Sequence, residues 1–190
     1  MKNYFFLFTL LLSFSVFAQD IPTVSTFDNS KPNELKLNLI LTIAGIPEIT
    51  YERILSEETS AGISVRFSTE PEIDEKFSIA PYYRFFFGKK QNATGFFLEG
   101  FGILTSYNSK SEIYNQIFDS GFLTTSFVPS TDKYTNLGLG FSLGGKWLTK
   151  KGFIFELYTG VARNFSNSAL NSKYDTQITG RGGITAGYRF

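Results

Sequence analysis

In successive stretches between Glu34 and Phe190, apolar residues return at every second position, with polar or small residues filling most of the places between. Leu35, Leu37, Leu39, Leu41 and Ile43 alternate with Lys36, Asn38, Ile40, Thr42 and Ala44, and Ala61, Ile63, Val65 and Phe67 repeat the rhythm. So do Leu137, Leu139, Phe141, Leu143, Gly145 and Trp147, and finally Ile178, Gly180, Gly182, Ile184, Ala186, Tyr188 and Phe190. Successive side chains of an extended chain point to opposite sides, so a period of two writes a sheet with one apolar face and one mixed face. The pattern predicts eight strands near 34–46, 48–56, 60–69, 76–88, 95–107, 134–149, 152–165 and 176–190, with no competing amphipathic helix.

The connections alternate in length. Those after strands two, four and six are short, at 57–59, 89–94 and 150–151, whereas those after strands five and seven are long, at 108–133 and 166–175. Short turns on one rim and long loops on the other fit an up-and-down membrane barrel with both termini on the short-turn side. The first loop, Gly45-Ile46-Pro47, breaks the rule by being short, and the one around Pro71 is of middling length. Two hairpins echo each other: Lys89-Lys90 precede Gly95-Phe96-Phe97-Leu98-Glu99, and Lys150-Lys151 precede Gly152-Phe153-Ile154-Phe155-Glu156. Glu99 then shares a face with Phe97, and Glu156 with Ile154.

Before this pattern, Lys2 is followed by an apolar run through Phe17 and by Ala18 before Gln19, with Val16 and Ala18 at the small-residue positions of a signal-peptidase site. The run is shorter than the ~20 residues a spanning helix needs. Residues 1–18 are therefore read as a cleaved signal peptide, 19–33 as a flexible periplasmic lead-in rich in Pro, Ser, Thr, Asn and Asp, and 34–190 as the barrel. Removing Lys2 leaves 17 basic against 17 acidic residues. That balance gives no reason to expect nucleic acid as a partner. The chain has no Cys and no His, which removes disulfides, lipidation at the cleavage site, zinc thiolates and imidazole acid/base chemistry together.

A barrel with one apolar and one mixed face is either a membrane barrel, apolar outside, or a soluble exported lipocalin-like carrier of an apolar ligand, apolar inside. Three features favour the first. The mixed face combines Gly, Ser and Asn with Lys36, Glu52, Arg66, Arg84, Glu99, Lys146, Glu156, Arg181 and Arg189, a set suited to a filled, charge-paired lumen. Aromatic residues crowd the short-turn rim of the apolar face: Phe85, Phe87, Phe96, Trp147, Phe153, Tyr188 and Phe190. Third, Tyr188-Arg189-Phe190 closes a strand with apolar residues at alternate positions.

In that last strand and in its export signal the chain resembles the small bacterial outer-membrane β-barrel family, the eight-stranded OmpA/OmpX-like group, over about residues 34–190. The resemblance implies an all-β, eight-stranded antiparallel up-and-down transmembrane β-barrel. It also implies that Tyr188 and Phe190 form the signal read by the outer-membrane barrel assembly machinery. Outer-membrane lipid is then the surrounding partner, and a monomer is expected. Enzymes in related barrels rely on a His that this chain lacks, so no catalytic, cofactor or metal residue is assigned.

The inward set holds six bases and three acids, leaving three cations to find partners in Glu34, inward by parity, or in loop carboxylates. A surplus left over reflects an imperfect assignment of residues to faces or, as the functional alternative, makes an anion site or a narrow anion-selective pore. On the outward face, Arg53 and Arg163 must lie near opposite rims, because a lipid-facing Arg costs roughly 2–4 kcal/mol at the midplane and close to nothing at the interface. The long loop 108–133 is the candidate for binding an extracellular ligand or surface. Ser109 and Glu112 have capping-box spacing for a short helix; alternatively Asp119-Ser120-Gly121 turns an extended hairpin that carries Phe122, Leu123 and Phe127.

Overall fold

The computed structural model describes residues 30–70, 72–87, 92–119, 122–167 and 177–190, with side chains outside 109–132, 134 and 166–167. The leader 1–18 and most of the lead-in lie outside the described residues, as do the side chains of Phe122, Leu123 and Phe127. Eight antiparallel strands close a barrel in chain order: β1 (Asn33–Asn38), β2 (Glu48–Ile54), β3 (Thr59–Phe67), β4 (Glu75–Phe87), β5 (Gly95–Asp119), β6 (Phe122–Leu148), β7 (Phe153–Asn167) and β8 (Ile178–Arg189). The seam is made by β1 and β8, from Glu34 opposite Arg189 to Asn38 opposite Thr185. Asn33 and Phe190 exchange backbone hydrogen bonds of 3.1 and 2.8 Å beside it.

The first strand is shorter than its alternation predicts. It stops at Asn38, and Leu39–Ile43 form a one-turn helix, α1. Asn38 caps it: its side chain accepts from the Leu41 N–H at 3.3 Å, and the Thr42 hydroxyl donates to the Asn38 carbonyl at 2.6 Å. The other end is a Schellman turn. The Gly45 N–H donates to the Thr42 carbonyl and the Ile46 N–H to the Leu41 carbonyl, with Gly45 at φ +79° and Pro47 next in line. Leu39, Leu41 and Ile43 therefore belong to a helical turn on the barrel rim and not to a strand. Apolar Ile40 and Ala44 on the supposedly polar side are the sequence trace of this break.

The long loop is also different from a loop. β5 and β6 continue past the rim as a regular two-stranded ladder from Asn108 opposite Lys133 to Asp119 opposite Phe122. The extended-hairpin alternative thus holds, and the helix started by Ser109 and Glu112 does not form. Neighbouring strands stop early: β4 reaches only Glu75 opposite Tyr107, and β7 only Asn167 opposite Asn136. A 12-residue stretch at ~3.3 Å per residue carries this hairpin about 40 Å along its strand direction beyond its neighbours.

The faces follow the parity rule throughout the barrel. Leu139, Phe141 and Leu143 are exposed at 57–60%, while Arg84 and Glu99 on adjacent strands are at most 1% exposed. Every rim aromatic named from the sequence, Phe85, Phe87, Phe96, Trp147, Phe153, Tyr188 and Phe190, is outward. Arg53 and Arg163 are outward as well.

Candidate functional site

The distinctive chemistry lies along the axis. All nine charged residues read from the sequence as inward are buried there. Strand alternation positions each of them. Lys36 projects from β1, Glu52 from β2, Arg84 from β4, Glu99 from β5, Lys146 from β6, Glu156 from β7 and Arg189 from β8.

Near the short-turn rim, Arg189 donates to Glu34 through Nε at 2.8 Å and Nη2 at 2.5 Å. Lys146 joins Glu34 at 2.8 Å to Glu52 at 2.5 Å. Lys36 lies between Glu52 and Glu156, donating to both, the latter at 2.7 Å. Arg84 is the hub: its Nη1 donates to Glu52 at 2.8 Å and to Glu156 at 3.0 Å, and its Nε to Glu99 at 2.6 Å. Glu99 also receives Arg181 and the Ser142 hydroxyl, and the Tyr82 hydroxyl donates to Glu52 at 2.8 Å.

Aromatic rings complete the packing. The Arg84 guanidinium lies 4.2 Å from the Phe97 ring centroid and 4.5 Å from that of Tyr82, and the Lys146 ammonium 4.8 Å from that of Phe86. Glycine makes room for such large side chains. A Cβ at Gly62 would meet the Tyr82 ring at 2.5 Å, and one at Gly187 would meet the Lys36 stem at 2.5 Å.

Higher in the barrel the pairing is sparser. Tyr158 donates to Glu48 at 2.7 Å, and the Asn38 amide reaches Glu48 and the Gly182 carbonyl, each at 3.3 Å. Arg66 approaches Glu75 at 3.2 Å and Glu48 at 3.7 Å. Glu48 and Glu75 were absent from the sequence-derived set. Glu48 has the same parity as Glu52 but sits directly after Pro47, and Glu75 falls just before the expected start of its strand.

With them and Glu34, the described interior holds Lys36, Arg66, Arg84, Lys146, Arg181 and Arg189 against Glu34, Glu48, Glu52, Glu75, Glu99 and Glu156. The expected surplus of three cations is gone, and the anion-site or anion-pore reading that rested on it falls with it. Glu34, Glu52 and Glu156 bring carboxylate oxygens within 4.8 Å of one another, but Lys36 and Lys146 each lie within reach of all three. The positive charge that such a cluster needs is thus supplied by the protein itself.

Set against models of known protein families, curated proteins and solved structures, the chain matches none.

Proposed function

We propose that this chain is an integral β-barrel of the bacterial outer membrane, exported by a cleaved signal peptide and built like the small eight-stranded barrels it resembles. Its role is structural or surface-binding and not catalytic. The observation that carries the reading is the inversion of the usual globular arrangement: a closed belt of exposed Leu, Ile, Val and Phe surrounds an axis of buried ion pairs. In water such a belt far exceeds the few hundred Å² of contiguous apolar patch that soluble monomers tolerate. In hydrocarbon it is the required surface, and a closed barrel leaves no strand edge unpaired over its closed length.

The dimensions agree. From Phe153 to Arg163 there are ten residue steps along β7, about 25 Å of height for a strand tilted by ~40°, which equals the apolar band of such barrels. Arg163 then stands at one border, and the aromatic group of Phe153, Trp147 and Tyr188 at the other. A carrier of an apolar ligand needs an apolar cavity, and the axis here is ionic and filled, which likewise disfavours a general pore. The hairpin 108–133 is the part available to an extracellular ligand or surface.

Fractionation tests this. The protein is expected to stay with outer membranes through high-salt washing, to need detergent for extraction and to run at a heat-dependent position on a gel. Recovery in the soluble periplasmic fraction rejects the reading. Changing Phe122, Leu123 and Phe127 to Ser is expected to abolish surface or ligand adhesion while the heat shift remains. Unchanged adhesion removes the hairpin from the account.

A further inference from the structure

The outward face carries two arginines, and they differ in what lies beside them. Arg53 is near the end of β2, opposite Asn33 and Ala61, by the short-turn rim. Arg163 is opposite Leu139 and Ile178 at the other rim. Next to Arg163 the surface is grooved. A depression of about 270 Å³ is walled by Leu139, Phe141, Val161 and Ile178, and Arg163 and Gln177 also line it. Arg163 and Gln177 lie on the long-loop side of Val161, level with Leu139 and Ile178, and the groove runs from them toward Val161 and Phe141, where its wall is wholly apolar. Beyond Val161 the face is bare, because its register neighbour is Gly180, where a Cβ would meet nothing within 4 Å. Among the described residues no carboxylate pairs with Arg163.

A larger groove of about 550 Å³ beside Phe96, Leu143 and Trp147 near the opposite rim has no charged residue in its wall. Apolar grooves are thus found at both borders of the belt, but only one has a cation at its mouth.

We infer that the Arg163 groove seats one acyl chain of an anionic, phosphate-bearing membrane lipid, with the phosphate held by Arg163 and Gln177. The inference rests on the membrane reading above. Arg presents a planar fork of donors that matches two phosphate oxygens, and the Gln amide adds a neutral donor. A cation at the interfacial level attracts such a headgroup by about 1 kcal/mol, equivalent to about a five-fold preference. The walls below exclude water from the chain, and the adjoining Gly180 strip leaves space for a second chain alongside.

The test uses the purified full-length mature chain. Flotation with phosphatidylglycerol vesicles comes first: failure to float removes the membrane reading, and this inference with it. On protein that floats, native mass spectrometry after delipidation compares retention of phosphatidylglycerol with that of a diacylglycerol of the same chains. The wild type is expected to favour the phosphate-bearing lipid about five-fold. Arg163→Gln is expected to abolish that preference without changing diacylglycerol retention, and Arg53→Gln to leave both unchanged. Val161→Trp, or Gly180→Leu should the first variant fail to fold, is expected to reduce both. Equal retention of the two lipids by the wild type, an Arg163→Gln variant with intact preference, or groove-filling variants that retain lipid normally overturns the inference while leaving the barrel assignment standing. Complete displacement by millimolar inorganic phosphate also overturns it, since the site would then belong to a soluble anion.

Discussion

The two ends of the lumen are built from the same residue types, yet they are bound together differently. Toward the short-turn rim, Arg84 alone contacts three carboxylates, and Glu52 receives Lys36, Arg84, Lys146 and Tyr82. Toward the long-loop rim, Arg66 has only Glu75 at 3.2 Å and Glu48 at 3.7 Å, and Glu75 is partly open to solvent. Burying a charge is tolerable only when its partners are close and its remaining donors or acceptors are used. The lower end meets that condition by sharing each carboxylate among several cations. The upper end meets it less well: Glu75 is partly open to solvent, but Arg66 Nε and the Glu75 Oε1 that faces it are buried without a hydrogen bond.

Substitutions at the two ends should therefore differ in size. Arg84→Met is expected to be the most damaging change, destabilising the barrel by roughly 3–5 kcal/mol, because it removes one shared cation from Glu52, Glu99 and Glu156 at once. Urea unfolding in lipid vesicles measures it, and a loss below about 1 kcal/mol would show that the hub is dispensable. Gly62→Ala follows, at about 1–3 kcal/mol in the same assay, since its methyl meets both the Tyr82 ring, displacing the hydroxyl from Glu52, and the Tyr51 carbonyl of the paired strand. Wild-type stability there would mean that both the ring and the paired strand yield freely.

Asn38→Ala tests the junction between the ends. Losing the cap of α1 is worth about 1 kcal/mol, and the contacts to Glu48 and the Gly182 carbonyl are lost as well. Hydrogen exchange should rise selectively in 39–46 and in the upper part of β8; a uniform rise would refute a local role. Arg66→Met is expected to have the smallest effect, about 1 kcal/mol or less, because its pairs are loose, at 3.2 and 3.7 Å, its Nε makes no hydrogen bond that would be lost, and Glu48 keeps the Tyr158 hydroxyl. An effect as large as that of Arg84→Met would erase the distinction between the two ends.

Much of this could be read from residue order. Parity alone assigned Lys36, Glu52, Arg84, Glu99, Lys146 and Glu156 to one side, because a straight strand makes no exception to its period of two. Three things escaped it. Alternation is blind where the chain leaves the strand, so Leu39–Ile43 read as a continuation of β1 although Asn38, Gly45 and Pro47 are helix punctuation. It is weak at strand ends, which is why Glu48 and Glu75 were missed and a cation surplus was expected. It also says nothing about which cation chooses which acid. That depends on strand stagger around the closed sheet, which brings Arg84 of β4 to Glu156 of β7 across 72 residues of sequence.

The central claim is that the belt around the barrel touches lipid while the axis stays sealed. Because the chain has no Cys, a single cysteine at Leu143 can carry a spin label without background. Power-saturation measurements in vesicles should then show collisions with oxygen, which dissolves in hydrocarbon, and none with a water-soluble nickel chelate. Free access of the chelate to the label at Leu143 would contradict the account.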